Sequence, residues 1–220
     1  MEGELISVLQ LRQGVGQLVR MKVLPAPYRH KQKDEVRHAI SAIDRVWHDG
    51  SVQSGAILRA TRGKHVISLA HVNTTEEETA APNRYTVEIS DHMSDQGYTV
   101  IEQGSKLSHF VNIFQFAPEK REELIAHFEH TLPYMRKQPG YVSTSLLLSV
   151  DQPLAVNIGQ FNTSRHFRAS MCKREVLGSF AKGYPLGIMA KVLGVLPKPP
   201  QLHLCELAHV VGEVHKSNIR

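Results

Sequence analysis

The segment Pro139–His166 (PGYVSTSLLLSVDQPLAVNIGQFNTSRH) has the pattern of a strand, a tight turn, a second strand and the start of a helix. The turn is predicted at Asp151-Gln152-Pro153, because Asp and Pro there separate two apolar runs. The second strand is predicted at Leu154–Phe161. The same pattern of strand, turn, strand and helix start occurs a second time upstream, so this hairpin indicates how the rest of the chain is arranged.

Asn157 is the residue of this hairpin that its neighbours do not explain. It stands between Val156 and Ile158, in a run that we expect to be buried. Because strand side chains alternate, Asn157, Gly159 and Phe161 share one face. A buried amide without a hydrogen-bond partner costs about 1–3 kcal/mol. We therefore expect a protein group or a ligand to face Asn157.

The upstream copy of the pattern lies at residues 55–76 (GAILRATRGKHVISLAHVNTTE), which align without a gap with residues 144–165 (TSLLLSVDQPLAVNIGQFNTSR). A predicted helix precedes each copy, at residues 28–47 and 118–137, with apolar residues at helical spacing. The sequence therefore predicts an α+β fold with two tandem ferredoxin-like β-α-β-β-α-β units.

The predicted units are residues 1–104 and 105–220. Their opening strands are expected at 16–23 and 109–116, and the second unit closes with a strand at 201–211. The first unit has two candidates for its closing strand, 84–90 and 98–103, and residues 1–14 fit either an edge strand or a loose arm. Other expected elements are a short helix after Asn73-Thr74-Thr75 and a helix at 164–177. One open sheet leaves an apolar face uncovered, so the two sheets are expected to close into an intramolecular barrel.

The ordered series over residues 110–211 resembles the antibiotic biosynthesis monooxygenase family: Pro-Gly-aromatic, two strands, V-N-x-x-x-aromatic, then a polar-capped helix. The resemblance implies a dimeric α+β barrel that oxidises polycyclic aromatic substrates with molecular oxygen and no metal or organic cofactor. Asn157 matches the family's site Asn, and Phe161 stands where the family has a site Trp. Leu146 occupies the position of a Tyr that some members carry.

On this resemblance, the second unit is the expected active unit, acting on an anthrone- or quinol-type metabolite of secondary metabolism. Asn157 is cast as the donor to a developing oxyanion and His166 as a proton-handling group. Residues predicted to bind the substrate are Phe161, Phe167, Arg168, Phe114 and Tyr184.

The first unit is expected to be a scaffold with a degenerate site. Ser68 there replaces Asn157, and the pocket candidates are Arg20, His65 and Tyr85.

Composition narrows the class of protein. The chain has 220 residues, 41% of them hydrophobic, and a formal charge of +5 without a basic stripe with interleaved aromatics, so nucleic acid is not an expected partner. No apolar run reaches membrane-spanning length and the N-terminal sequence lacks a secretory pattern, so we expect no membrane partner and a cytoplasmic location. Cys172 and Cys205 are expected to be free thiols. His127 and His130 lack a third metal ligand, so no metal site is predicted.

Four alternatives remain open at the level of sequence. Haem binding or degradation would need a His ligand where Met171 stands. A reduced-flavin oxygenase is possible although no G-x-G-x-x-G motif is present. A polyketide cyclase would use the same pocket without oxygen. The fourth alternative is a non-catalytic pseudo-dimer whose sites only bind a ligand. Separately from these alternatives, the chain could form a homo-oligomer.

Overall fold

A computed structural model describes residues 5–11, 18–26, 28–72, 83–94, 98–150, 152–171 and 201–215. Strands dominate these residues, and the helices lie between them in sequence. The elements in chain order are β1 Leu5–Leu11, β2 Leu18–Pro25, α1 Arg29–His48, β3 Val52–Ala60, β4 His65–Val72, β5 Arg84–Ser94, β6 Thr99–Glu102, β7 Ser108–Gln115, a 3-10 turn Pro118–Lys120, α2 Arg121–Arg136, β8 Tyr141–Ser149, β9 Leu154–Phe161, α3 Ser164–Met171, β10 Gln201–Val211 and β11 Glu213–His215.

Eight strands close into one antiparallel barrel in the order β10-β3-β4-β2-β5-β8-β9-β7. The strands β2–β5 belong to the first half of the chain and the strands β7–β10 to the second half. Two pairs join the halves and close the barrel: β10 lies beside β3, and β5 lies beside β8. Within each half the strands have the same arrangement: the last strand lies next to the first, then the third, then the second. The predicted α+β fold class is confirmed, whereas the division at residue 104 stays a prediction.

The barrel interior is the main hydrophobic core. Alternate residues of every barrel strand point inward, and both halves contribute, as Met21 and Ile67 do from the first half and Val111 and Val156 from the second. Helices cover the outside: α1 packs on β3 and β4 through Ile43, and α2 packs on the β8–β9 region. The space available for a ligand therefore lies between the outer face of the barrel and its helices.

A smaller sheet, β11-β1-β6, accompanies the barrel. Leu9, Leu11 and Ile101 from this sheet are fully buried in the same core as the barrel interior. Two sequence ambiguities are thereby resolved. Residues 5–11 form a strand, and of the two candidates for the closing strand of the first unit, β5 joins the barrel beside β2 whereas β6 pairs with β1.

Several predicted features fall outside the described residues. These are the helix after Asn73, Asp151 of the predicted turn, and everything between Met171 and Gln201, which includes Cys172 and Tyr184. Cys205 is buried in the barrel core with a free thiol, and burial raises its pKa to about 12. Among the described helices, none combines the length and apolar character needed to cross a membrane.

Candidate active site

A cavity of about 150 Å³ lies in the second half, between the outer face of β7, β8 and β9 and the helices α2 and α3. The strands supply its floor and the helices its roof. Most of the lining is apolar, with three neutral polar side chains on the strands. The described lining residues are Phe110, Asn112, Phe114, Leu124, His127, Phe128, Thr131, Leu132, Met135, Thr144, Asn157, Phe167, Met171 and Leu202.

The amide of Asn157 is held in one orientation. Thr144, on the neighbouring strand, donates a hydrogen bond from its Oγ1 to Asn157 Oδ1 at 2.6 Å. The amide oxygen is thus occupied, while the amide nitrogen makes no hydrogen bond to any described residue. A half-buried N–H donor is therefore presented to the cavity.

A second amide lies directly opposite. Asn112 on β7 is the cross-strand partner of Asn157 on β9, so both side chains lie on the same face. The Oδ1 atom of Asn112 is buried and has no hydrogen-bond partner among the described residues. Leaving such an acceptor unsatisfied costs about 1–3 kcal/mol. The pair therefore offers a donor and an unused acceptor side by side in an apolar wall.

Aromatic rings form one end of the cavity. Phe110 stacks on Phe167 of α3 with ring centroids 4.9 Å apart, and Phe161 meets Phe167 edge-on at 5.5 Å. The Phe110 ring occupies the space over Gly159, where a Cβ atom would collide with it. This cluster fixes α3 on the sheet, and Phe110 and Phe167 give the cavity a flat, rigid surface suited to an aromatic ligand.

Among the described residues that line this cavity, His127 on α2 is the titratable one. Burial lowers its pKa below the usual 6.5, and the nearby His130 lowers it further, while Glu123 acts in the opposite direction. The imidazole is therefore neutral near pH 7 and able to accept a proton.

Known proteins of similar structure agree with this architecture. The chain superposes on an anthrone oxidase-like protein with a TM-score of 0.72 and 10% identity, covering 92% of this chain and 95% of that one. It superposes on a ferredoxin-fold protein related to antibiotic biosynthesis monooxygenases from Listeria monocytogenes with a TM-score of 0.53 and 7% identity, covering 88% and 96%. The predicted resemblance is confirmed. The fold is that of the antibiotic biosynthesis monooxygenases.

The monooxygenase fold does not by itself decide the chemistry. A heme-degrading enzyme from Listeria monocytogenes has it too, with a TM-score of 0.50 and 10% identity over 86% of this chain and 99% of that one. In sequence, the chain is 39% identical over 70 residues to tetracenomycin-F1 monooxygenase of Streptomyces glaucescens. That match covers 31% of this chain and 62% of the relative's length. No family model matches the chain.

Against this monooxygenase fold, the predicted site residues separate into two groups. Asn157, Phe114 and Phe167 line the cavity. Phe161 is fully buried behind Phe167 and does not line it. Tyr184 lies outside the described residues.

His166 and Arg168 do not line the cavity, contrary to the sequence-based expectation. The reason is helical geometry: successive side chains on α3 diverge by about 100°, so when Phe167 faces inward its neighbours face away. The His166 ring packs against Gly140, which has a φ of +72°, and Arg168 is exposed.

Sequence reasoning missed Asn112 and His127. Asn112 stands between Val111 and Ile113, the same Val-Asn-Ile pattern that singled out Asn157. His127 lies three residues after Leu124, on the inward stripe of α2. Both could have been found by asking which polar residues occupy otherwise apolar faces.

Proposed function

We propose that this chain is a cofactor-independent monooxygenase that oxidises a polycyclic aromatic, anthrone- or quinol-type metabolite in secondary metabolism. The observation that carries the proposal is the pair of opposed amides, Asn112 and Asn157, in an apolar cavity with an aromatic wall. The chemistry is assigned to the second unit, residues 105–220. The first unit, residues 1–104, serves this reaction as a scaffold.

The reaction needs no electron donor besides the substrate. Loss of a proton from the activated ring carbon gives an enolate-like carbanion, which reduces O2 by one electron. Recombination forms a carbon–oxygen bond and a hydroperoxide, and loss of water leaves the ring carbonyl of a quinone. One oxygen atom enters the product and the other leaves as water. The protein must bind a flat ring, stabilise the oxyanion and exclude water.

The two amides support complementary roles in binding and catalysis. Asn157, with its oxygen held by Thr144, directs its N–H toward the oxygen on which negative charge develops. Asn112 Oδ1 accepts a hydrogen bond from a substrate hydroxyl, which would satisfy the buried acceptor. A substrate with an oxygen on the reacting ring and a neighbouring phenolic hydroxyl matches this pair.

His127 takes the role first considered for His166, because it lines the cavity and its lowered pKa leaves it neutral and basic near pH 7. It accepts the proton from the ring carbon. Arg168, exposed on α3, is given no part in this proposal.

Binding a polycyclic ring requires the cavity to widen. Its volume of about 150 Å³ is below the roughly 300–1,000 Å³ of typical ligand pockets. Met135 and Met171 both line it, and unbranched thioether side chains change rotamer at low cost. We propose that these two side chains move aside when the substrate enters.

The decisive experiment measures oxygen uptake with 1,8-dihydroxyanthrone and no added cofactor, after subtraction of the uncatalysed rate. Asn157→Ala is compared with Ser68→Ala, since Ser68 occupies the corresponding position of the first half, opposite Lys22 on β2. We expect kcat/KM to fall at least tenfold in Asn157→Ala, which is about 1.4 kcal/mol of transition-state stabilisation, and to stay within about twofold in Ser68→Ala.

The other outcomes are equally informative. A fall in Ser68→Ala alone would move the chemistry to the first half. Substrate binding without uptake above the blank would reject the oxygenase and favour a cyclase or a binding protein. Incorporation of one ¹⁸O atom from ¹⁸O2 into the anthraquinone product, with the wild type, is the positive result. Repeating the assay with reduced flavin or haem tests the cofactor alternatives.

A further inference from the structure

A larger cavity, of about 620 Å³, lies in the first half between α1 and the outer face of β2 and β4. Its volume is within the range of small-molecule sites. Arg20, predicted as a pocket residue, does line it, whereas Tyr85 packs against the barrel core and His65 meets His203 edge-on. The sequence-based view of the first half as a scaffold leaves this space without a use.

Strand register shows that the two cavities are equivalent in position. In the second half, Asn112 on β7 lies opposite Asn157 on β9, and in the first half Lys22 on β2 lies opposite Ser68 on β4. Two residues further along, at the next pair on the same face, Arg20 opposite Ala70 takes the place of Phe110 opposite Gly159. The same place in the fold thus carries an amide and an aromatic ring in one half and two cations in the other.

The cations are concentrated on one surface. Arg20 and Lys22 are two residues apart on a strand, so both point to the outer face, and both are half-buried. Arg84 on β5 is the direct cross-strand neighbour of Lys22 and lies on the same face. All three take part in other interactions, so a ligand would join or replace these.

Of the described residues that line the cavity, two are carboxylates, and both belong to α1 or its end. Asp49 is exposed, and hydrogen bonds with the Ser51 side chain and with the Ser51 backbone N–H, the latter at 2.9 Å, lower its pKa. Glu35 is half-buried on the helix, near the exposed His38. The floor of the cavity is therefore cationic and the acidic groups are on the roof.

We infer that the first-half cavity is a second ligand site that binds an aromatic carboxylate or phenolate. Arg20 and Lys22 receive the anion, with the Ser68 hydroxyl beside them, and the apolar lining from Leu24 and Ile43 packs on the ring. The described residues that line this cavity include no pair of opposed amides, so the ligand is bound and not oxidised there. This inference stands independently of the reaction assigned to the second half.

The test uses 2-naphthoate as the probe and 2-naphthamide as its neutral analogue, with the full chain. Calorimetry measures affinity, and the indole N–H resonance of Trp47 reports the location, because this is the chain's single Trp and it packs where α1 meets the barrel. We expect naphthoate to bind at least about tenfold more tightly than the amide and to shift the Trp47 resonance.

The double variant Arg20→Gln/Lys22→Gln should weaken naphthoate binding at least about tenfold. Its matched control is Lys33→Gln/Arg37→Gln, which removes two charges from the exposed face of α1 and should leave affinity within about twofold. Ser68→Asp is the second variant. It places a carboxylate opposite Lys22 and should also weaken binding, and it decides the matter if the double variant does not fold.

Three results would overturn the inference. They are no naphthoate binding to the wild type at millimolar concentration, equal affinity for naphthoate and naphthamide, and loss of binding in Asn157→Ala with retention in the Arg20/Lys22 and Ser68 variants. The last result would place the probe in the second-half cavity.

Discussion

At the scale of single residues, the second-half cavity contains polar groups that folding alone does not require. The amide oxygen of Asn157 accepts a hydrogen bond from Thr144. The amide oxygen of Asn112 is buried and has no hydrogen-bond partner among the described residues. Phe110, Phe114 and Ala155 lie on the same outer face of these two strands as the amides. A buried group that lowers stability without a structural return is expected at a functional site.

Replacing Asn112 by Leu tests whether this cost is real. Leu has a similar size and removes the unsatisfied acceptor, so we predict that the free energy of unfolding rises by about 1 kcal/mol while kcat/KM for the anthrone falls at least about tenfold. Chemical denaturation and oxygen uptake give the two numbers. Thr144→Val is the contrasting variant. It breaks the hydrogen bond that holds Asn157, so it should lower both stability and activity. Loss of stability in Asn112→Leu would refute the argument.

His127 should set the acid limb of the pH profile. Its pKa lies below 6.5, so it is deprotonated and active above that pKa, and kcat/KM should fall as the pH drops through it. His127→Gln should give a lower, flat profile over the same range. His130→Gln removes the Coulombic effect by which His130 lowers the His127 pKa, so the acid limb should move to higher pH. A limb that persists in His127→Gln would assign it to another group.

At the scale of elements, the sequence predicted strands well and the direction of helical side chains poorly. Strand β9 was expected at Leu154–Phe161 and occupies those residues, because alternation and turn residues define a strand locally. The face of α3 that meets the sheet depends on packing between distant segments. Phe110 and Phe161 determine it by contacting Phe167, so neither His166 nor Arg168 could be excluded from sequence.

The pairing of β6 shows the same limit. Residues 98–103 and 84–90 both have extended patterns, and the choice between them depends on long-range partners. β5 pairs with β2 and β8. β6 pairs instead with β1, which comes first in the sequence among the described strands. Local propensity carries no information on such a choice.

Close approach of α1 to the sheet depends on Gly55 of β3. A Cβ at this position would collide with the Ile43 side chain and lie 2.8 Å from the Leu69 carbonyl oxygen. We predict that Gly55→Ala lowers the free energy of unfolding by about 1–3 kcal/mol. Ile43→Val removes the terminal methyl that a Cβ meets, so the double variant should be more stable than the sum of the single changes predicts, by about 1 kcal/mol. Strict additivity in denaturation experiments would contradict this packing account.

At the scale of the whole molecule, a polar network lies inside the barrel. Gln160 joins Ser143, His109 and the Val100 carbonyl through its two amide ends, at 2.7, 3.1 and 2.6 Å. Thr99 of β6 bonds to Ser143 and Ser145. The network links the small sheet to the barrel, so protonation within it affects the entire fold.

His109 is fully buried in this network, and burial lowers its pKa to about 4. The unfolded chain titrates near 6.5, so the folded state carries no penalty above pH 6.5 and an increasing one as the pH falls toward 4. The full difference is roughly 3 kcal/mol. We predict that the free energy of unfolding of the wild type falls between pH 7 and pH 4. In His109→Gln, which keeps an acceptor for Gln160, we expect this fall to be smaller by roughly 3 kcal/mol. Reversible denaturation at a series of pH values measures both. His203→Gln should act in the same direction, because burial also lowers the pKa of His203 to about 4. Parallel curves for the wild type and His109→Gln would mean that the buried imidazole takes up its proton at little cost, and the barrel interior would then be more accessible to water than its packing indicates.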